Sequence, residues 1–285
     1  MAGVHGGRFG VVDGITQVRN WQINDDGNLA RGVNSASKMG SFRRKGTASW
    51  AGGYSAHGAV AAVMPSEMFS FLGYTAPDGG TVGGVGQTYE GAAIVDSLGI
   101  SWNWAGGNVI EHQIGFSGHL ALTPTAADMA VLDATVSDPE VVGVCKITSS
   151  VDGAAWVEIE NITQASLNIQ AANAAYINSS TSSNTGRVPG PIDWTASIGV
   201  EDNLLGSGLS KFTDYWFRFY VTATTFYELK WGTVKSFSGL QISRETQQVI
   251  AHSISIEMNG TKSVASVLTA GHIKLPDTTT WWPAA

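Results

Sequence analysis

VNSASKMGSFRRKGTASWAGG, residues Val33 to Gly53, is the stretch on which the reading of this chain turns. A second stretch, INSSTSSNTGRVPGPIDWTASIG from Ile177 to Gly199, repeats its landmarks. Asn34-Ser35 returns as Asn178-Ser179, Gly46 as Gly190 and Trp50 as Trp194, each 144 residues further on. Upstream, Val18 and Ile23 align with Ile162 and Leu167 at the same offset. Downstream, VIEHQIGF (Val109–Phe116) matches VIAHSISI (Val249–Ile256) at an offset of 140, which sets His112 against His252 and Ile114 against Ile254. Gly99 and Gly239 fall in that second frame, and FSF (Phe69–Phe71) is set against FRF (Phe217–Phe219). An offset that drifts only where loops fall is what two copies of one fold would leave in a sequence.

A chain of 285 residues is long enough for two domains, each able to bury its own core. The boundaries read as a first domain over 1–122, a connector over 123–140, a second domain over 141–275 and a tail over 276–285. The connector TPTAADMAVLDATVSDPE has no counterpart in the repeat and can hold a short helix. Fully extended, it spans at most roughly 60 Å.

Hydrophobic residues make up 43% of the chain and include ten Trp, which points to packed structure rather than disorder. Only 14% of residues are charged, as expected of a surface buried in an assembly. The net charge is −7, about −5 on residues 1–140 and −2 on residues 141–285. An electrostatic nucleic-acid binder would be basic, so this balance argues against a DNA or RNA grip. Cys145 is the only cysteine, which excludes an intrachain disulfide. MAGVHGGRFG lacks the apolar core of a signal peptide, and no apolar run reaches the length of a membrane span, so no membrane anchor is expected.

The hydrophobic pattern has mostly a period of two. Ile100, Trp102 and Trp104 alternate, as do Ile110, His112, Ile114 and Phe116, with the turn Ala105–Asn108 between the two runs. This predicts a hairpin with one apolar face. A second hairpin is expected from WGTVKSFSGLQIS and VIAHSISIEMNG around Arg244–Gln248. Asp25–Asn28 (DDGN) reads as a turn between two extended pieces, and Val151–Gly153 as another turn. Ser66 can cap a short helix whose stripe is Met68, Phe69, Phe71 and Leu72. Thr213–Phe219 reads equally as strand or helix.

The chain offers little to chemistry. The six His form no metal-ligating array, and there is no G-x-S-x-G elbow. GGTVGGVGQ lacks the Gly-Lys-Ser/Thr end of a phosphate loop. Asp25-Asp26 and Glu201-Asp202 are neighbours in sequence, so within a strand they would point to opposite faces. No catalytic residue, metal ligand or cofactor is nominated, and the protein is not expected to be an enzyme. Two features suit contacts between subunits or rings: the basic tip Arg43, Arg44 and Lys45, and the aromatic pair Trp281 and Trp282.

A strand with Trp and Ile, an extended Asn-Ser segment, a Gly-x-x-x-Trp block, a short helix carrying Phe-x-Phe and a closing β-hairpin make up the pattern of each half. In this order they resemble the major tail tube protein of tailed bacteriophages. The segments that carry the resemblance are NSASKMGSFRRKGTASWAG with ISWNWAGGNVIEHQIGF, and NSSTSSNTGRVPGPIDWTAS with LQISRETQQVIAHSISI. The second copy departs from the first in having Ala165 where the first has Trp21, and in a weaker helix signal around its Phe-x-Phe, Phe217–Phe219.

The resemblance implies a mainly β fold with short helices: two tandem β-sandwich-like tail-tube domains whose sheets join those of neighbouring subunits into a closed β-barrel ring. It implies a structural subunit of a phage tail tube, found in the virion tail and, during assembly, in the host cytoplasm. Its partners would be further copies of itself in a homotrimeric, pseudo-hexameric ring with stacked rings above and below. Tape measure and tail terminator proteins would meet the tube, and phage DNA would pass through the lumen without specific binding. The other reading from composition is a carbohydrate-binding or adhesion protein of tandem β domains. Trp102 with Trp104, or Trp281 with Trp282, would then be its stacking platforms.

Overall fold

The computed structural model describes residues 18–32, 42–57, 64–75, 85–104, 109–128, 142–181, 183–201, 208–239, 251–260, 272–276 and 281–282. The first half supplies β1 (Val18–Gly32), β2 (Phe42–His57), β3 (Met68–Thr75), β4 (Val85–Asn103) and β5 (Glu111–Asp128). Then come β6 (Ile147–Ser150), β7 (Val157–Glu158), β8 (Ile162–Ala171), β9 (Ala174–Tyr176), β10 (Gly186–Val188), β11 (Ile192–Glu201), β12 (Asp214–Tyr220), β13 (Phe226–Ser238) and β14 (Ala251–Met258). Two short strands, β15 (Ile273–Lys274) and β16 (Trp281–Trp282), complete the described chain. Among the described residues, helix comprises 3-10 turns at Val142–Val144 and Ser179–Thr181 and the single α-helical residue Gly260.

Fourteen of the strands form one antiparallel sheet, and β9 and β10 pair separately. Its main path runs β1-β2-β5-β4-β8-β11-β14-β13-β12-β6-β7 and, among the described residues, does not close on itself. β3 joins β4 off this path, and β15 joins β13. The strand orders β1-β2-β5-β4-β3 and β8-β11-β14-β13-β12 are therefore the same arrangement laid down twice. The ladders agree residue by residue. Asn20 faces Ser55 and Ile23 faces Gly52, while Gln164 faces Gly199 and Leu167 faces Ala196. His112 faces Ala56, and His252 faces Val200. The irregularities repeat too. Arg19 is passed over between Val18 and Asn20, as Thr163 is between Ile162 and Gln164. A bulge leaves Asp96 out between Val95 and Ser97, and another leaves Lys235 out between Val234 and Ser236.

These registers revise two alignments made from sequence. Gly99 corresponds to Ser238 rather than Gly239, because Gly99 faces Gln113 and Ser238 faces Ser253. Phe69 and Phe71 correspond to Tyr215 and Phe217, not to Phe217 and Phe219, since Phe69 faces Ala93 and Tyr215 faces Gly232.

The sheet has one apolar and one polar face, as period-two alternation requires. β11 shows it plainly: Ile192, Trp194, Ala196 and Ile198 are buried, while Asp193 and Thr195 are exposed. The long strands β4 and β13 serve two layers. The first part of β4 pairs with β3, and the part after the Asp96 bulge pairs with β8. This lays β3 over the apolar face. Phe71 packs on Trp21, Trp50 and Phe116 with ring centroids 5.8, 5.8 and 5.0 Å away. In the second half Phe217 lies 6.5 Å from Trp194. The halves share their core, for Trp102 of β4 lies 5.6 Å from Phe219 and its Nε1 donates to the Tyr220 carbonyl at 3.0 Å.

Three local expectations are corrected. The helix proposed at Ser66 is strand β3: Phe69 and Phe71 alternate inward while Met68 and Ser70 face out, and pairing with β4 satisfies the backbone. Ser66 itself sits in a turn at φ 77°, held by hydrogen bonds with Gly190. Asp25–Asn28 is not a turn, because β1 runs through it and absorbs Asn28 as an irregularity between Gly27 and Leu29. β5 continues to Asp128, into the stretch assigned to the connector, whose remainder to residue 140 lies outside the described residues. The hairpin of β4 and β5 forms as expected, and Thr213–Phe219 falls mostly in strand β12.

Candidate functional site

The polar face of the sheet is built from alternate residues of its central strands. Asn20, Gln22, Ser55, Gln113, Ser97 and Asn168 line a trough of about 670 Å³ across the first half and the joint with the second. Its floor is open because Gly53, Gly99 and Gly115 present no side chains there. Asp193 and Thr195 of β11 and Glu257 of β14 continue the face in the second half and are exposed. Among the described side chains on this face the charges are mainly carboxylates. Lys235 answers one of them, with its Nζ 2.5 Å from Glu257 Oε1. Such a surface of hydroxyls, amides and carboxylates offers a polyanion few cations among the described side chains.

The edges of the sheet are the second feature. Each end of the joint between halves, β4 and β8, has its counterpart at a margin of the chain. β8 has β11 on one side and β4 on the other. Its counterpart β1 has β2 on one side and, among the described residues, no strand on the other. Likewise β4 after its bulge has β5 and β8, whereas β13 after its bulge has only β14 among the described residues. Leu98 of β4 is fully buried opposite Ile169, while its counterpart Phe237 is only half-buried. Beside β1 a largely apolar trough of about 240 Å³ lies between Trp21, Ile23, Tyr89, Leu122 and Pro124, with the Asp25 carboxylate also on its wall. A long bare strand edge beside an apolar cleft is a template for another chain.

The residues singled out from the sequence are scattered. Lys45, Arg44 and Arg43 stand opposite Leu29, Ala30 and Arg31 on the β1–β2 ribbon. That part lies beyond residues 51–57 of β2, which alone pair with β5. The side chains of the three basic residues lie outside the described part of the structure. Trp281 packs on its own chain, 5.9 Å from Trp216 and with the Lys230 ammonium 3.6 Å from its ring. The backbone of Trp282 pairs with Ile273. Trp102 is buried, and Trp104 is half-buried with its Nε1 donating to the Cys145 carbonyl.

Sequence reasoning missed a polar cluster on the outer side of β12 and β13. Arg218 bonds Glu228 at 2.9 Å and is stacked on Trp156 and Phe226, 3.8 and 4.4 Å from their ring centres. Lys230 is enclosed by Trp216, Trp231 and Trp281, and its burial lowers its pKa. The alternation of Trp216, Arg218 and Tyr220 in WFRFY was the available signal. His112 and His252 face the core, and neither ring nitrogen of either has a hydrogen-bond partner among the described residues. Burial, with a smaller contribution from His57, lowers the pKa of His112 to about 4. Among the described residues no three His, Cys, Asp or Glu side chains gather as metal ligands would. No family model matches this chain, and no curated protein matches it.

Proposed function

We propose that this protein is a structural subunit that joins its own kind edge to edge into a ring, and that it builds the tube of a phage tail. One observation carries the reading. Among the described residues, the edge that β4 covers on β8 inside the chain has no strand on it in β1, and the edge that β8 covers on β4 has none in β13 after its bulge. A chain with one covered joint and two complementary open halves of that joint can repeat itself head to tail. Such heterologous contacts close into a ring when the rotation per unit divides a full turn. The polar, carboxylate-bearing face would then line the lumen and let DNA slide without holding it.

With two units per chain, a ring of six units contains three chains. Stacked rings would form the conduit, and the tape measure and terminator proteins would meet it inside and at its end. Native mass spectrometry and negative-stain microscopy test this together. The expected result is rings with a central hole and a mass three times 29.9 kDa. Monomers at every concentration would overturn it, and six chains per ring would overturn the trimer.

A further inference from the structure

The two bulges carry opposite charges, and this difference has a use at the chain's free edges. Inside the chain Asp96 is held from both sides of the joint. Ser117 Oγ of its own half donates to Oδ2 at 2.5 Å, and Asn173 Nδ2, just beyond β8, donates to Oδ1 at 2.9 Å. Lys235 occupies the same bulge position in the second half, and Glu257, the counterpart of Ser117, is its partner. Both side chains of that pair are at least half exposed, at 60% and 50%. Nothing from across the joint meets Lys235 among the described residues.

Resting on the ring reading above, we infer that Lys235 is the cationic key of the joint between successive chains. The residues just after the β13 bulge add to β1 of the next copy in the register that the internal joint displays. There Ser97 faces Gln170 and Gly99 faces Asn168. The counterparts are Ser236 with Asp26 and Ser238 with Asn24. This register places the polar face of both strands on one side, since Asn24 and Asp26 share the face of Asn20 and Gln22. It seats the Lys235 ammonium between Glu257 of its own chain and the exposed Asp26 of the next. Phe237 enters the place that Leu98 fills internally, against the apolar margin of β1. The charges also sort the joints. An Asp96-type bulge brought against Asp26 would set carboxylate against carboxylate, so the internal joint and the joint between chains do not exchange.

Paired cysteines read the register directly, because opposed strand positions lie 4.5–5.5 Å apart, within disulfide reach. The double variant Ser238→Cys/Asn24→Cys is expected to give a covalent ladder of chains on oxidation. Ser238→Cys/Gln22→Cys, displaced by two residues, is expected to give none. Lys235→Glu should raise the concentration needed for rings by roughly tenfold or more. Adding Asp26→Lys to it should recover part of that loss. Circular dichroism of the exposed-site variants checks that they fold. Rings without the Ser238–Asn24 ladder, or with the displaced one, would overturn this register and leave the ring reading standing. Rings indifferent to Lys235→Glu would overturn the charge key. A wild-type protein that never oligomerises would overturn both readings.

Discussion

The indole of Trp50 lies directly on Gly118 of β5, where a Cβ would come under 3.0 Å from the ring. The same indole is fixed by its Nε1 bond to the Leu120 carbonyl and by Phe71 and Phe116 around it, so it has nowhere to move. Gly118→Ala is therefore expected to destabilise the fold by about 2 kcal/mol through overpacking. Urea unfolding with unchanged slope and a lowered midpoint would show this. An unchanged midpoint would mean that the indole yields.

Trp102 ties the two halves together through Phe219 and the Tyr220 carbonyl. Trp102→Ala removes a fully buried indole from their shared core and is expected to cost about 3–5 kcal/mol. The loss should appear in both halves at once. Hydrogen exchange is expected to speed up in β12 as well as in β4, whereas exchange changed only in β4 would contradict a shared core.

Acid should weaken the fold through His112. Its folded pKa of about 4 lies below the ordinary 6.5, so the unfolded chain binds more protons between those values. The stabilisation is complete above about 6.5 and is lost as the pH falls toward 4, a change of about 3 kcal/mol. His112→Leu has no proton to take up and fills similar space. Its stability is expected to fall less than the wild type's between pH 7 and pH 4.5. Equal falls in the two proteins would remove His112 as the cause.

Arg218 balances the nearly buried Glu228. Arg218→Ala strands that carboxylate and uncovers Trp156 and Phe226, and is expected to cost about 2 kcal/mol, the partial exposure of the pair moderating the loss. Arg218→Lys keeps the charge but loses the planar stacking, so it should restore only part. Full rescue by lysine in thermal melts would assign the effect to charge alone.

Much of this fold is legible in the amino-acid sequence. The spacing of Trp50 from Trp194 and of His112 from His252 gives the offsets at which the ladders repeat, and alternation in ISWNW and VIEHQIGF gave strands with one buried face. These are local properties, written wherever a side chain must choose between core and water. What local pattern could not decide was pairing. Met68–Thr75 carries apolar residues compatible with a helix stripe, and only the open edge of β4 made it a strand. Asp25–Asn28 has turn composition, yet a long ladder with β2 outweighs that preference.

The joint of β4 with β8, the bulge positions of Asp96 and Lys235 and the margins of β1 and β13 that carry no strand among the described residues likewise belong to the tertiary structure. Strand partners are set by backbone hydrogen bonds between residues far apart in the chain, and every residue except proline offers the same two bonding groups. Residue identity therefore determined which face each strand would bury. The folded sheet alone decided which strands would lie side by side and which edges carry no neighbouring strand among the described residues.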